Sequence, residues 1–290
     1  MRYRPLGGGG TVVSAVSLRL RSDRLTPAQA VTRIHAAVEQ GVNTFDIPGD
    51  DPEMLLAVGQ ALQSVDRELL VLVVRIGGSR NFGAHALQAQ IVDALRRMRV
   101  ARLDAVVLDD PAGDELTAEA LDMLKAARAS GRVRMLGVAG VDEAIDAYIS
   151  NGAFDLLVLP FNLTTGWRER RRLLEASKRD MAVIGYDPWP EVFQTRPAGP
   201  AKASLLSRAF RSKPAEPLAG AGTYAFLENT ANWSSEQICL AYALTDLKIA
   251  TIQIEPHSEE HLAELAAIAD REMPSGLSAQ VEMARFAETA

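Results

Sequence analysis

The sequence predicts a single closed (β/α)8 barrel of the TIM type, and three observations predict it. Short apolar runs such as Leu69-Leu70-Val71-Leu72-Val73-Val74, Ala105-Val106-Val107-Leu108 and Phe154-Asp155-Leu156-Leu157-Val158-Leu159 recur along the chain. Such runs belong to parallel strands covered on both faces. Segments of helical period separate them in strict alternation, the pattern of βα units. Eight units fit into 290 residues, a length at which single α/β barrels close.

The elements follow in order. After a glycine turn at 7–10, the apolar run 12–20 supplies an opening hairpin and the first strand. Thr26-Pro27 starts a helix with proline at its first position, and 28–39 continues it to Gly41. A short strand follows at 42–45. Helix 52–64 leads to strand 69–75, helix 84–98 to strand 103–108, and helix 117–130, closed by Gly131, to strand 132–138. Helix 141–150 precedes strand 154–159, and helix 167–179 precedes strand 181–186. Helix 234–245, strand 249–254 and helix 258–271 complete the set, and 280–290 reads as a frayed C-terminal helix or a protease-recognised tail.

One long loop interrupts this single domain, from 187 to 232 after the seventh strand. Loops of that length are usually functional lids or disordered segments. Within it, Lys202, Arg208, Arg211 and Lys213 surround Leu205, Leu206 and Phe210. That pattern suits docking on an acidic protein partner or lining a lid. A second basic run, Arg168, Arg170, Arg171, Arg172, Lys178 and Arg179, reads as the solvated face of the sixth outer helix.

Composition removes several function classes. The net charge is -6 and the pI about 5.4, so no global basic field points to nucleic acid. Cys239 is the one cysteine, which excludes an intramolecular disulfide and fits a reducing compartment. No apolar run approaches the roughly 20 residues of a membrane span, and no signal core opens the chain. A soluble cytoplasmic protein is expected. His257 and His261 share helical spacing but lack a third ligand, so no metal is expected. Nucleophile elbow, P-loop and cysteine pair are all missing.

In a barrel of this kind, functional residues sit where strands end. Gly41-Val42-Asn43-Thr44-Phe45-Asp46 places a carboxylate at such an end. That stretch also resembles the second-strand signature of the aldo-keto reductase superfamily. Met1-Arg2-Tyr3-Arg4-Pro5-Leu6-Gly7 is similar to its N-terminal hairpin, and Leu103 to Pro111 to its fourth-strand motif. Gly131 to Val138 is similar to its fifth-strand approach, and Pro160-Phe161-Asn162-Leu163 to its sixth-strand exit.

The resemblance implies carbonyl reduction with a nicotinamide cofactor, through an Asp, Tyr, Lys and His set. In that chemistry a tyrosine donates the proton and a lysine, held by the aspartate, lowers the tyrosine pKa. Asp46 stands at the aspartate position. The tyrosine position falls within 47–52, which holds no tyrosine, and Asp51 takes its place. Arg75 stands at the lysine position and Asp109 at the histidine position. A planar guanidinium pairs well with carboxylates, so an Asp46–Arg75–Asp109 ion network is expected where the tetrad would lie.

The same resemblance places Asn162, Tyr186, Ser258, Glu259 and Glu260 against the cofactor. Ala139-Gly140 and Val158 stand where polar groups would hold the carboxamide. Glu259 and Glu260 disfavour the 2′-phosphate of NADP(H) and leave NAD(H) compatible. The function implied is that of a pseudoenzyme, a regulatory protein that senses NAD(H). A likeness to oxidoreductase-like cell-division regulators implies inhibition of the tubulin-like division GTPase FtsZ. The alternative is an active NAD(P)H-dependent oxidoreductase with a rearranged catalytic site.

Overall fold

The chain opens with an antiparallel hairpin, β1 (Tyr3–Pro5) and β2 (Val12–Ser14), turned by Gly7 and Gly10 at positive φ. Eight parallel strands follow: β3 (Val16–Arg19), β4 (Thr44–Pro48), β5 (Val71–Ile76), β6 (Leu103–Asp109), β7 (Val133–Ala139), β8 (Leu156–Pro160), β9 (Ala182–Tyr186) and β10 (Thr251–Ile254). They pair in chain order, and β10 closes the barrel on β3 with Ile252 opposite Val16. This computed structural model describes residues 1–190, 193, 224, 227, 230–274 and 276–289.

Side chains alternate across each strand, so the barrel separates two apolar layers. Val71, Val73, Val107, Leu156, Val158 and Ile184 point inward, and the hairpin residues Leu6 and Val13 plug the floor beneath them. Burying each such side chain contributes ~1.5–3 kcal/mol. The outward positions pack against a ring of helices: α1 (Pro27–Glu39), α2 (Pro52–Ala61), α3 (Ala84–Met98), α4 (Ala118–Ala129), α5 (Ala144–Ser150), α6 (Trp167–Lys178), α7 (Ser235–Ala243) and α8 (Glu259–Ile268). Short polar residues start many of them. Thr26 and Ser234 form reciprocal capping boxes with Gln29 and Gln237.

Among the described residues a ninth helix, α9 (Leu277–Thr289), stands where the sequence left a frayed helix or a tail. Its Leu277 and Val281 join Leu163, Ile238, Cys239 and Tyr242 in a separate apolar cluster outside the barrel. A polar clamp fixes it: the Tyr242 hydroxyl donates to Glu282 at 2.8 Å and accepts from Arg170 at 3.0 Å.

Three expectations change. The second strand runs on to Pro48 because Gly49 N–H still donates to the Arg75 carbonyl at 2.7 Å. Helix α5 begins at Ala144 rather than 141; the Val141 carbonyl accepts from Arg172, and the Asp142 carbonyl accepts from Arg172 and, in a turn, from Ile145 N–H. The basic run on α6 is not one solvated face. Arg172 is 3% exposed and bonded to Asp146, while Arg170 reaches Tyr242 and the Phe161 ring. Charge counting missed this because a guanidinium can be buried where carbonyls satisfy its donors. The basic, apolar stretch 202–213 lies outside the described residues.

Among the described residues, no helix is long and apolar enough to cross a membrane, and no group of three or more His, Cys, Asp or Glu is placed to hold a metal ion.

Candidate functional site

Strand alternation sets the site. Above the inward residues Val73, Val107 and Ile184 come Arg75, Asp109 and Tyr186, two positions further along each strand. Asp46, Arg19 and Gln253 complete the ring at the barrel mouth. The residues just past β4 lie flush on the next strand. A Cβ on Gly49 would come within 2.4 Å of the Arg75 carbonyl, so only glycine fits there.

Arg75 is the hub. Its Nε donates to both Asp46 oxygens at 2.9 Å, its Nη1 to Asp109 Oδ1 at 2.7 Å, and its Nη2 to Gln253 Oε1 at 3.4 Å. Gln253 Nε2 in turn donates to Asp46 Oδ2. Asp46 and Arg75 are buried, at 2% and 8% exposure, whereas the Asp109 side chain is 37% exposed and forms the outer edge. Burial alone would push the Arg75 guanidinium down. The charges and bonds of Asp46 and Asp109 more than offset this, so its pKa is raised and it remains a cation.

Tyr186 stands over this cluster. Its ring lies 5.4 Å from the Arg19 guanidinium and 5.8 Å from that of Arg75. Cations placed this way interact with the ring face. Burial raises the phenol pKa, and the nearby arginines offset this only in part.

The remaining sequence-predicted residues fall elsewhere. Asp51 is not a replacement for a proton donor: it caps α2, accepting from Glu53 N and Met54 N at 3.0 Å. Its neighbour Pro52 fills the first helical position, where no N–H is needed. Asn162 spends its amide on backbone groups, donating to the Asp187 carbonyl just past β9 and accepting from Thr164 on its own loop. Ser258 caps α8 by accepting from His261 N, and Glu259 and Glu260 occupy that helix's first turn. Acidic groups there complement the helix dipole. Ala139 and Val158 are buried in the barrel's inner layer, and Gly140 carries a φ of 153°.

Sequence reading did not bring Gln253, Arg19 or Glu255 to the ion cluster at this mouth. A signal existed in Thr251-Ile252-Gln253-Ile254-Glu255, where polar residues alternate with isoleucines and so share the barrel interior. Two cavities border this mouth. One of about 260 Å³ is bordered by Arg19, Arg21, Asp46, Asp50, Arg75 and Asp109. The other, about 110 Å³, runs along Tyr186, Asp187, Trp189, Leu240, Gln253 and Leu265.

The arrangement is rich in acceptors and fixed cations. A guanidinium of this basicity does not release a proton near neutral pH, and a carboxylate paired to it accepts hydrogen bonds rather than donating them. What the cluster offers a ligand is charge and shape.

The sequence model described as "Aldo/keto reductase family" matches residues 14–283. The chain belongs to this family. A curated relative, the 6-dehydroglucose reductase of Novosphingobium aromaticivorans, is 32% identical over 154 residues, which cover 47% of this chain and 50% of that protein. The match thus spans about half of that relative's length. Among solved aldo-keto reductases, the holo form of AKR11C1 from Bacillus halodurans superposes with a TM-score of 0.80 at 15% identity, covering 98% of this chain and 96% of that one. A Klebsiella pneumoniae aldo-keto reductase in complex with NADPH gives 0.73 at 18% identity, covering 98% and 95%. At these identities the likeness is one of fold. Within the aldo/keto reductase barrel, the cluster around Arg75 occupies the strand ends where this architecture carries chemistry.

Proposed function

We propose that this chain is a regulatory member of the aldo/keto reductase family, binding a nicotinamide dinucleotide at the barrel mouth without reducing carbonyls. The observation that carries this reading is the fully engaged Arg75: its guanidinium bonds Asp46, Asp109 and Gln253 at once. Reduction of a carbonyl leaves an alkoxide that must receive a proton. At the centre of this mouth stand a guanidinium and its paired carboxylates. Tyr186, the one phenol at the rim of the cluster among the described residues, has its pKa pushed up by burial.

The residues fit a dinucleotide in part. Tyr186 offers an aromatic surface beside the narrower cleft, and the Ser258-capped start of α8 offers N–H groups suited to phosphate. A carboxamide would meet the apolar Ala139 and Val158. When bound, the nicotinamide group supplies hydride chemistry. The chain's own contribution is binding and orientation. NAD(H) is placed ahead of NADP(H) because Glu259 and Glu260 oppose a 2′-phosphate at that helix start, although the Klebsiella reductase holds NADPH.

The deciding experiment is a fluorescence titration of the purified chain with NADH and NADPH, followed by a carbonyl turnover assay. Binding of NADH without turnover is expected. Turnover abolished by Asp109→Asn or Tyr186→Phe would instead establish an oxidoreductase with a rearranged site. The second reading has one observation in its favour, the closeness of Tyr186 to Arg75. As a regulator, the chain would act on a protein, and the division GTPase FtsZ is the partner proposed. Its polymerisation, followed by sedimentation with and without the chain and NADH, should fall; an unchanged pellet removes FtsZ from the reading.

A further inference from the structure

A cavity of about 400 Å³ opens at the barrel floor, beside the hairpin and at the end of the strands away from Arg75. It forms where the two apolar layers part. Leu6 and Met135 reach it from the inner layer, and Ile149, Phe154 and Met181 from the layer beneath the helices. Along β7, Arg134 at this floor lies about 17 Å from Ala139 at the mouth, at ~3.3 Å per residue.

The rim of the cavity is charged, and its charges are not matched. Arg134 donates one N–H to the Thr11 hydroxyl at 2.8 Å, and Arg179 one to the Ser150 carbonyl at 3.2 Å. Neither guanidinium has an ion pair among the described residues. Each has five N–H groups to offer, so most of their donors face solvent or a ligand. Of the two carboxylates at the rim, Asp155 is already engaged: it accepts from Arg128 at 2.9 and 2.7 Å and from Leu136 N–H at 2.9 Å. Asp180 remains, and the two arginines outnumber it.

Gly8 and Gly9 border the same space. The fold does not require glycine at either position: neither has a positive φ, and a Cβ on either would meet nothing within 4 Å. Their N–H groups bond no described residue. Glycine in such a place lets a ligand come close to the main chain.

We propose that this cavity binds an anionic amphiphile, a carboxylic acid on an apolar chain or ring, at a site remote from the dinucleotide cleft. The apolar body lies against Phe154, Ile149 and the two methionines, whose unbranched thioethers adapt to differing shapes. The carboxylate meets the guanidinium forks of Arg134 and Arg179, which match its paired oxygens. A small inorganic anion would leave the apolar walls unfilled, and a neutral hydrocarbon would leave the arginines unanswered. Apolar walls with a few polar groups that fix orientation are the usual make-up of a small-molecule site.

Calorimetric titration of the full chain with octanoate, and in parallel with octanol, tests this. Octanoate should bind, and octanol about tenfold or more weaker, because it lacks the charge-assisted bonds. The double variant Arg134→Gln/Arg179→Gln should lower octanoate affinity by a similar factor and leave octanol binding unchanged. Both side chains are exposed, so the folding risk is small. Gly8→Glu sets a like charge at the rim, where its Cβ has room, and should also weaken octanoate binding. Saturating NADH should leave octanoate affinity unchanged. The proposal is overturned if octanoate does not bind, if octanol binds as tightly, if the double variant and Gly8→Glu both bind octanoate as well as wild type, or if NADH displaces it. Failure of the dinucleotide titration alone would leave the octanoate comparison standing.

Discussion

Replacing Arg75 by methionine should destabilise the protein severely, and the size of the loss follows from what Asp46 would be left with. The Asp46 side chain is 3% exposed and that of Arg75 is 9% exposed, so water replaces little of the pair's bonding. Methionine removes both Nε bonds to Asp46 together with the bonds to Asp109 and Gln253, leaving Asp46 with the Gln253 amide. Stranding one partner of a buried ion pair costs ~3–5 kcal/mol. Against a total stability of ~5–15 kcal/mol, that is a large fraction. Urea unfolding at neutral pH should show a midpoint displaced accordingly, with an unchanged slope. The double variant Asp46→Asn/Arg75→Met should recover ~2–3 kcal/mol of the loss, since the stranded charge is gone and an amide can still accept from Gln253. Arg75→Lys should fall between, keeping the charge but losing the fork. A loss under ~1 kcal/mol, or a double variant no more stable than the single, would refute an uncompensated Asp46 charge as the cause.

Asp51→Ala should cost ~1 kcal/mol in urea unfolding, as for a lost helix cap, and leave NADH affinity unchanged; a large change in affinity would return Asp51 to the site. Arg172 holds the Asp146 carboxyl below the usual aspartate range. A depressed folded pKa stabilises above the ordinary value of ~3.9 and loses that contribution as pH falls through the folded value. Asp146→Asn should therefore be less stable than wild type at pH 7, with the gap closing below about pH 4 in thermal melts; a gap that widens there contradicts the pairing. Burial pushes the Cys239 thiol well up, so a thiol reagent should label it only on unfolding. Stoichiometric labelling of folded protein would show that the cluster under α9 opens readily.

The barrel was legible because its strands are uninterrupted apolar runs, and helices between parallel strands leave few other closures. Asp46 was legible as a charge that ends an apolar run, whereas Arg75 and Asp109 were legible only through the family resemblance that set them at the lysine and histidine positions. Gln253 was harder, since β10 is only Thr251–Ile254 and one glutamine in so short a strand says little without its neighbours. Asp51 shows the opposite failure. Asp51-Pro52-Glu53 is a helix start on chemistry alone, and the resemblance to a catalytic stretch outweighed that plainer meaning. Arg170 and Arg172 were misread because a sequence shows charge but not which carbonyls lie within reach. Arg19, Arg21 and Arg24 lie near one end of the chain and Glu255 near the other, and no local pattern announces their meeting.

That meeting of chain ends also governs how the protein is made. Asp46 and Arg75 lie 29 residues apart on adjacent strands and can pair as soon as both have emerged during synthesis, whereas the Gln253–Asp46 bond spans 207 residues. Until β10 arrives, β3 and β9 are open sheet edges, and the half-built barrel presents unpaired backbone to any passing strand. Contacts of such long range form slowly. Gln253 therefore works as a latch. It adds its bonds to the ion cluster only in a chain that has closed, so a product truncated before Thr251 carries both the exposed edges and an incompletely bonded Asp46.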